Sequence, residues 1–276
     1  ARQCAFAYIY SIAGFLLANV VCQLSLAYTP MPYHHTLAWR IPFFMSAILA
    51  VIAFKILPPP KPTPQKHRTS PLHKVFKHHK KPLLYSTIIA TISGIYYYYI
   101  YVYLISHMIH DRHYKPKTAY IINGICLILS CGLVMLFANL SDKKGRTPLF
   151  LFCFVAFLLF SIPLTEALSS PHFITQLLSY GLLIGLFSAF TANAAAVYGE
   201  IFPASIRYTG LAISYNGGLT LSGFTPALCA WLQHTHQTVL ITTSPLLIAS
   251  AIGLLSLFIR AWVLTVKLFK NNACYF

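Results

Sequence analysis

Hydrophobic residues along this chain are grouped into long runs that polar connections separate. Eight runs are long enough to cross a bilayer, whose hydrocarbon core needs about 20 apolar residues per helix. They span residues 5–27, 38–57, 83–106, 118–140, 148–168, 173–199, 208–232 and 242–264. Several runs contain glycine or proline, which membrane helices tolerate. The pattern predicts an all-α integral membrane protein with eight transmembrane helices.

Composition supports this prediction. The chain is 57% hydrophobic and 9% charged, whereas soluble domains carry about 25% charged residues. A water-soluble globule is therefore excluded. The net charge of +16 would suit a nucleic-acid ligand, but the cations lie in short connections between apolar runs, which is typical of membrane topology. The partner that this charge indicates is the lipid bilayer, not nucleic acid.

The distribution of lysine and arginine predicts the orientation of the chain. Fifteen of these residues fall in connections on one side of the predicted helices, and four fall on the other side. Cytoplasmic connections carry the excess of positive residues. We therefore expect both ends of this chain to lie in the cytoplasm, with the protein in the cell inner membrane.

A basic connection, residues 58–82, divides residues 1–57 from residues 83–276. It begins with the stiff, proline-rich segment Pro58–Pro64. A lysine- and histidine-rich stretch follows, in which Leu72, Val75 and Phe76 are spaced to form the apolar side of a surface helix. Cations beside anionic lipid each contribute about 1 kcal/mol of attraction. This stretch is therefore expected to lie on the membrane.

Two charged turns interrupt the apolar runs. The first, Ser141–Arg146, contains Asp142, Gly145 and Arg146, and the second begins at Glu200. Pro203 ends the helix there, so Glu200 lies at a helix C-terminus, where the dipole disfavours an anion. Arg146 or Arg207 is a cation able to compensate it. Spacing alone also permits a simple polar turn, and that alternative stays open.

These turns and two further segments resemble a known family. The motifs are Leu140–Pro148, Trp39-Arg40-Ile-Pro42-Phe, Glu200–Gly210, and Thr225-Pro226 before Trp231-Leu232. Together they resemble the metabolite:proton symporters of the major facilitator superfamily, which include the proline/betaine and oxoglutarate transporters.

The resemblance implies that the chain holds the last eight helices of a twelve-helix fold. Residues 1–57 would be the end of a truncated N-terminal half, and residues 83–276 the C-terminal six-helix half. It also implies proton-coupled symport of a small polar metabolite, such as proline, betaine or a carboxylate, by alternating access. The partners would be that metabolite and the proton; no cofactor and no catalytic residue are expected.

The charged turns have a physical reading as a gate on the cytoplasmic side. We expect Arg146 to make a planar, bidentate pair with Glu200. Asp142 is expected to approach a helix N-terminus, for example that of the helix beginning near Tyr208. Gly145 permits the tight backbone between the two charges. The resemblance implies the same gate role, and Arg207 is included as a second cation.

Candidate substrate contacts are less specific. Six tyrosines fall between Tyr96 and Tyr103, and aromatic faces can hold a quaternary ammonium by cation–π attraction. Tyr98, which the resemblance matches to a recurrent family aromatic, and Tyr101 are the candidates. An interfacial aromatic belt is the alternative. The asparagines Asn123, Asn193 and Asn216 lie inside apolar runs, where substrate contact and helix–helix hydrogen bonding are equally plausible roles.

Parts of the sequence also fit two other function classes. Histidines recur in the predicted outer connections, at residues 34, 35, 107, 110, 113, 234 and 236. A membrane metalloenzyme would need carboxylate ligands beside them, and only Asp111 is near, so no metal site is expected. The other alternative is a non-functional or structural remnant of a transporter, because no carboxylate for proton relay lies in the middle of a span.

Overall fold

The computed structural model of the protein describes residues 2–30, 40–56, 70–112, 114–236 and 238–272. All regular elements in these ranges are helical, which confirms the predicted all-α fold. The helices are α1 (Arg2–Tyr28), α2 (Ile41–Ile56), α3 (Pro71–His78), α4 (Lys80–Tyr98), a π-helical segment (Tyr99–Tyr103), α5 (Leu104–His110), α6 (Pro116–Lys144), α7 (Arg146–Ala167), α8 (Phe173–Glu200), α9 (Arg207–Ser222), α10 (Thr225–His236), α11 (Val239–Thr242) and α12 (Ser244–Asn272).

The helices account for the predicted membrane spans. Five stretches of the described chain are long and apolar enough to cross a membrane: Ala5–Ser25, Lys80–His110, Pro116–Lys144, Arg146–Ala167 and Phe173–Glu200. Two shorter apolar helices cover Ile41–Ile56 and Ser244–Ile259. The pair α9–α10 occupies the remaining predicted span. The chain is a multi-pass membrane protein.

Two of the spans are interrupted. The predicted span 208–232 is two helices, because α9 ends at Ser222 and α10 begins at Thr225, directly before Pro226. Proline fits the first turn of a helix but would block a helix that continued through it. The predicted span 83–106 contains the π-helical segment Tyr99–Tyr103. Such segments are rare and are frequent at functional sites.

The six-helix part of the chain packs through small residues and aromatic rings. α8 packs between α6 and α7, α4 packs on α9, and α12 contacts both α7 and α4. Gly218 of α9 faces Ala90 and Thr91 of α4 so closely that a methyl group has no room. Small residues at such contacts let membrane helices approach each other. The buried rings include Tyr96, which stacks on Phe157 at 4.1 Å between centroids.

Large apolar side chains cover the outside of these helices. Examples are Ile128, which is 65% exposed, Leu159, which is 63% exposed, and Phe258, which is 65% exposed. A protein in water rarely exposes a continuous apolar surface of this kind. Lipid chains are the solvent that suits it.

α3 is the described part of the basic connection. Val75 is fully buried and packs with Phe202 and Ile206 of the α8–α9 connection. Leu72 and Phe76 are about half exposed, at 53% and 48%. The expected surface helix is present, but Val75 faces the protein, so the three residues do not form one free apolar side. Pro58–Pro64 lies outside the described residues, and contact of α3 with lipid stays a prediction.

The chain forms two compact units. One comprises residues 1–9 and 69–276, and the other comprises residues 10–68, which hold the rest of α1 and all of α2. Within the smaller unit, Val21, Leu24 and Tyr28 of α1 line a shallow apolar hollow together with Ile41 and Met45 of α2. The functional residues predicted above all lie in the larger unit.

Candidate functional site

The first charged turn joins α6 to α7 through a single residue. α6 ends at Lys144, α7 begins at Arg146, and the Gly145 amide donates a hydrogen bond to the Ser141 carbonyl oxygen. Gly145 has a φ angle of 90°. This left-handed conformation strains any residue with a Cβ, so the turn requires glycine. The turn places the Arg146 side chain beside the C-terminal end of α8.

Arg146 is the centre of a charged network. Its Nη1 donates to Ser141 Oγ and Asp142 Oδ1, and its Nη2 donates to Glu200 Oε1, each at 2.8 Å. The Arg146 side chain is 23% exposed and that of Glu200 is 59% exposed. The expected bidentate pair with Glu200 is not formed, because the guanidinium divides its two terminal amino groups between two carboxylates. It therefore joins α6, α7 and α8 through one side chain.

Asn193 belongs to this network. Its Nδ2 donates to the Arg146 carbonyl oxygen at 2.8 Å, and its Oδ1 accepts a hydrogen bond from Ser141 Oγ at 2.7 Å. Asn193 is fully buried. Asn193, a candidate substrate contact, therefore stabilises the charged turn. Asn193 lies seven residues before Glu200, which puts both residues on one face of α8, so the sequence could have indicated that Asn193 belongs to this site. Nothing in the sequence indicates the role of Ser141.

Asp142 and Arg207 differ from expectation. Asp142 Oδ2 accepts a hydrogen bond at 3.0 Å from the backbone amide of Arg2, in the first turn of α1. The bond is thus to α1, and not to the N-terminus of α9 as expected. Arg207 Nε donates to the Phe202 carbonyl oxygen at 3.1 Å. Among the described residues Arg207 forms no ion pair with Glu200, because its own loop holds the guanidinium.

The tyrosine run is divided between core and accessible positions. Tyr96 and Tyr99 are fully buried and Tyr103 is 3% exposed, whereas Tyr97, Tyr98 and Tyr101 are half-buried. Tyr96 hydrogen-bonds Ser250 of α12, with 2.7 Å between the oxygens. An interfacial belt is wrong for the three buried tyrosines, because the helix bundle encloses them.

Four aromatic rings from three helices and the π-helical segment form a group that we call the Phe187 cluster. Phe187 of α8 contacts Tyr8 of α1 at 6.5 Å, Tyr97 of α4 at 6.5 Å and Tyr101 of the π-helical segment at 5.7 Å between ring centroids. Tyr98 is not in this cluster but packs edge-on against Tyr97 at 5.3 Å. Of the two tyrosine candidates, the structure brings Tyr101 into the cluster and Tyr98 to its edge.

The other two asparagine candidates are separate from each other. Asn123 of α6 is 8% exposed and accepts a hydrogen bond from the Tyr180 hydroxyl of α8 at 3.1 Å. Asn216 is exposed and donates to the Ala212 carbonyl oxygen of its own helix at 2.8 Å. Asn123 therefore links two helices, and Asn216 remains accessible for a ligand.

The histidines do not assemble into a metal centre in the part of the chain that the structure describes. No group of three or more His, Cys, Asp or Glu side chains there is arranged to hold a metal ion. His34, His35 and His113 lie outside the described residues. His107, His110 and His234 instead line a cavity at the end of the bundle opposite the α6–α7 turn.

Comparison with known proteins places the chain among transporters. A sequence model of the Major Facilitator Superfamily matches residues 4–172. The glycine betaine/proline/ectoine/pipecolic acid transporter OusA of Dickeya dadantii is 29% identical over 271 residues, which are 89% of this chain and 52% of that protein. The proline/betaine transporter of Escherichia coli K12 is 27% identical over 270 residues, 89% of this chain and 53% of that protein.

A third relative carries a different substrate. The alpha-ketoglutarate permease of Escherichia coli K12 is 27% identical over 227 residues, 76% of this chain and 50% of that protein. The chain thus spans about half the length of the curated relatives that it matches. No solved structure gives a significant match.

Proposed function

The chain belongs to the major facilitator superfamily, and on that basis we propose that the complete protein is a secondary transporter of a small polar metabolite. The names of these relatives support betaine, proline or a carboxylate as the substrate class. We further propose that transport is coupled to protons and proceeds by alternating access. In this proposal residues 1–57 belong to one half of the transporter and residues 83–276 to the other.

The network around Arg146 is the observation that carries this proposal. It holds α6, α7 and α8 together at one end of the bundle, and Asp142 extends it to the first turn of α1. In the proposed division, α1 belongs to one half and α6 to the other. A bond between the halves that exists only while this end is closed stabilises one of two conformations. The network is thus suited to act as a gate.

We propose that this gate faces the cytoplasm and that the protein resides in the cell inner membrane. The excess of lysine and arginine on the side of the α6–α7 turn supports this orientation.

Cysteine reporters test the orientation. A cysteine at Lys144 should react with an impermeant maleimide only from the cytoplasmic side, and one at His236 only from outside. Both positions are exposed and lie at opposite ends of the helices. Labelling of the His236 reporter from the cytoplasm would show that the number of spans is wrong by one.

The Phe187 cluster supports a substrate with a quaternary or secondary ammonium group. Tyr97 and Tyr101 are half-buried, so part of each ring can face a ligand. A cation over such a ring is attracted by about 0.5–2 kcal/mol. Tyr98, at the edge of the cluster, and the exposed Asn216 are proposed as further contacts.

Ring substitutions test the role of this cluster. We expect Tyr97→Leu to lower the uptake of glycine betaine about fivefold to tenfold, and Tyr97→Phe to lower it much less, because phenylalanine keeps the aromatic face. Tyr208→Leu is the control, since Tyr208 is 88% exposed at the start of α9. Initial uptake rates are compared at equal amounts of folded protein. Equal losses of uptake in both Tyr97 variants would show that the hydroxyl group, and not the aromatic face, is required for uptake.

The proposed substrate class is tested by an uptake panel. Cells that express the complete protein and lack their own transporters for the panel are given labelled glycine betaine, proline and oxoglutarate in separate assays. We expect saturable uptake of at least one compound. Uptake of none of the three, from protein shown to be folded in the membrane, would favour a structural remnant over a transporter of this class.

A further inference from the structure

The end of the bundle opposite the α6–α7 turn contains a cavity of about 840 Å³ between α5 and α10. Small-molecule sites typically have volumes of about 300–1,000 Å³. The cavity is lined by Val102, Tyr103, Ser106, His107, His110, Asp111, Arg112, Pro226, Ala230, Gln233 and His234. It shares no residue with the Arg146 network or the Phe187 cluster, so the function proposed above leaves it without a role.

A chain of hydrogen bonds positions the arginine of this cavity. His107 Nδ1 donates to Asp111 Oδ2 at 2.7 Å, and Arg112 Nε donates to His107 Nε2 at 3.4 Å. One imidazole nitrogen is thus a donor and the other an acceptor, which is the neutral tautomer. His107 is 3% exposed and stacks on Tyr103 at 5.6 Å between ring centroids. The buried imidazole therefore holds Arg112 in place.

The donors of the cavity lack acceptors. No described residue accepts a hydrogen bond from the two terminal amino groups of Arg112. The Tyr103 hydroxyl is buried and has no hydrogen-bonding partner among the described residues. A buried polar group without a partner costs about 1–3 kcal/mol and calls for an explanation, such as a bound ligand. Arg112 is exposed, so this cost falls on the Tyr103 hydroxyl, which a ligand oxygen can satisfy.

The charges of the cavity favour an anion. Its titratable and charged groups are Tyr103, His107, His110, Asp111, Arg112 and His234. Asp111, the single carboxylate among these lining residues, already accepts from His107. His110 and His234 lie in the last turns of α5 and α10, where the helix dipole favours a positive charge. Arg112 is thus the cation of this cavity that remains for an anionic ligand.

We propose that this cavity is a binding site for the carboxylate group of a small organic acid, separate from the transport pathway. The terminal amino groups of Arg112 bind the carboxylate in the bidentate geometry that suits guanidinium. The Tyr103 hydroxyl donates a further hydrogen bond. Binding follows from the geometry of the cavity alone; that the cavity opens to the outside rests on the orientation proposed above.

Calorimetric titration of the complete protein in dodecyl maltoside micelles tests this site. The probe is succinate, and succinamide is its uncharged analogue. We expect succinate to bind and succinamide not to bind. Arg112→Gln should lower the affinity for succinate at least fivefold. Tyr103→Phe, which keeps the ring stacked on His107, should lower it severalfold without lowering Tm.

Matched variants distinguish this site from the transport pathway. Tyr99→Phe is the control, because Tyr99 is fully buried, contacts Tyr103 and does not line the cavity. Succinate binding that both Arg112→Gln and Tyr103→Phe leave unchanged would overturn the proposal, as would equal binding of succinamide. Inorganic phosphate that displaces succinate at equal concentration, or Zn²⁺ bound in place of the acid, would overturn the carboxylate assignment. None of these measurements depends on transport, so this proposal and the proposed function can fail independently.

Discussion

Gly218→Ala is expected to destabilise the protein by about 1–3 kcal/mol, the usual cost of overpacking a filled interior. A Cβ added at Gly218 would lie 2.5 Å from the Ala90 Cβ and 2.7 Å from the Thr91 backbone nitrogen. A side chain could rotate away, but a backbone atom moves only if α4 shifts. Because α4 and α9 pack along this contact, we expect the effect at the upper end of the range, with much less folded protein recovered from membranes.

The neighbouring glycine is a matched control. A Cβ added at Gly217 has no atom within 4 Å, and Gly217→Ala makes the same chemical change on the same helix. Alanine favours a helix over glycine by about 1 kcal/mol, so this variant should be neutral or stabilising. Thermal unfolding followed by size-exclusion chromatography measures both. Equal unfolding temperatures for the two variants would contradict the close α4–α9 contact.

Arg146→Gln is expected to shift the complete protein severalfold toward the form that is open to the cytoplasm. The variant removes hydrogen bonds to Ser141, Asp142 and Glu200 together. These bonds lie within residues 83–276, so they act on the gate by holding Asp142 where it accepts a hydrogen bond from the Arg2 amide. An exposed ion pair contributes about 0–1 kcal/mol, so the shift should be at most about fivefold. Glu200→Gln leaves the bond from Arg146 to Asp142 in place and should have a smaller effect in the same direction.

The double variant tests whether the two residues act together. If Arg146 and Glu200 interact, their combined effect is smaller than the sum of the single effects, because either change already removes the bond. The measurement is labelling of a cysteine at Asn216 in inside-out vesicles, with the native cysteines replaced. Lys144→Gln is the control, since it removes a positive charge from the same turn but forms no ion pair among the described residues. Strictly additive effects would remove Arg146 and Glu200 from the gate.

The helices were predictable because the bilayer requires long apolar segments and every backbone group in them must be hydrogen-bonded internally. The interruptions were harder to predict. Pro226 is consistent with the break between α9 and α10. Membrane helices also tolerate proline, however, so the sequence of residues 208–232 does not predict that this span is two helices. Nothing in the run of tyrosines indicates the π-helical segment Tyr99–Tyr103, since hydrophobic periodicity cannot detect one extra residue per turn.

For the site, too, the sequence predicted several of the residues that take part but not how they contact one another. Asp142, Arg146 and Glu200 could be predicted because the chain has only four acidic residues that could pair with a cation. The sequence does not show that Arg146 donates to both Asp142 and Glu200, because this depends on the side chains packed around it. For Asn193 the sequence left substrate contact and helix–helix hydrogen bonding equally open, and the structure shows it hydrogen-bonded to Ser141 and Arg146 at the turn. That Arg112, Tyr103 and His234 line one cavity depends on the packing of the π-helical segment on α10, which sequence spacing does not reveal.

Accumulation of substrate against a gradient tests the central claim most directly. The complete protein is reconstituted in liposomes, a pH gradient with the acidic side outside is imposed, and the internal concentration of labelled glycine betaine, proline or oxoglutarate is followed. Proton-coupled transport predicts that at least one compound accumulates above its external concentration, and that collapsing the gradient with an uncoupler abolishes the accumulation. Entry that never exceeds the external concentration, with or without the gradient, would contradict the account.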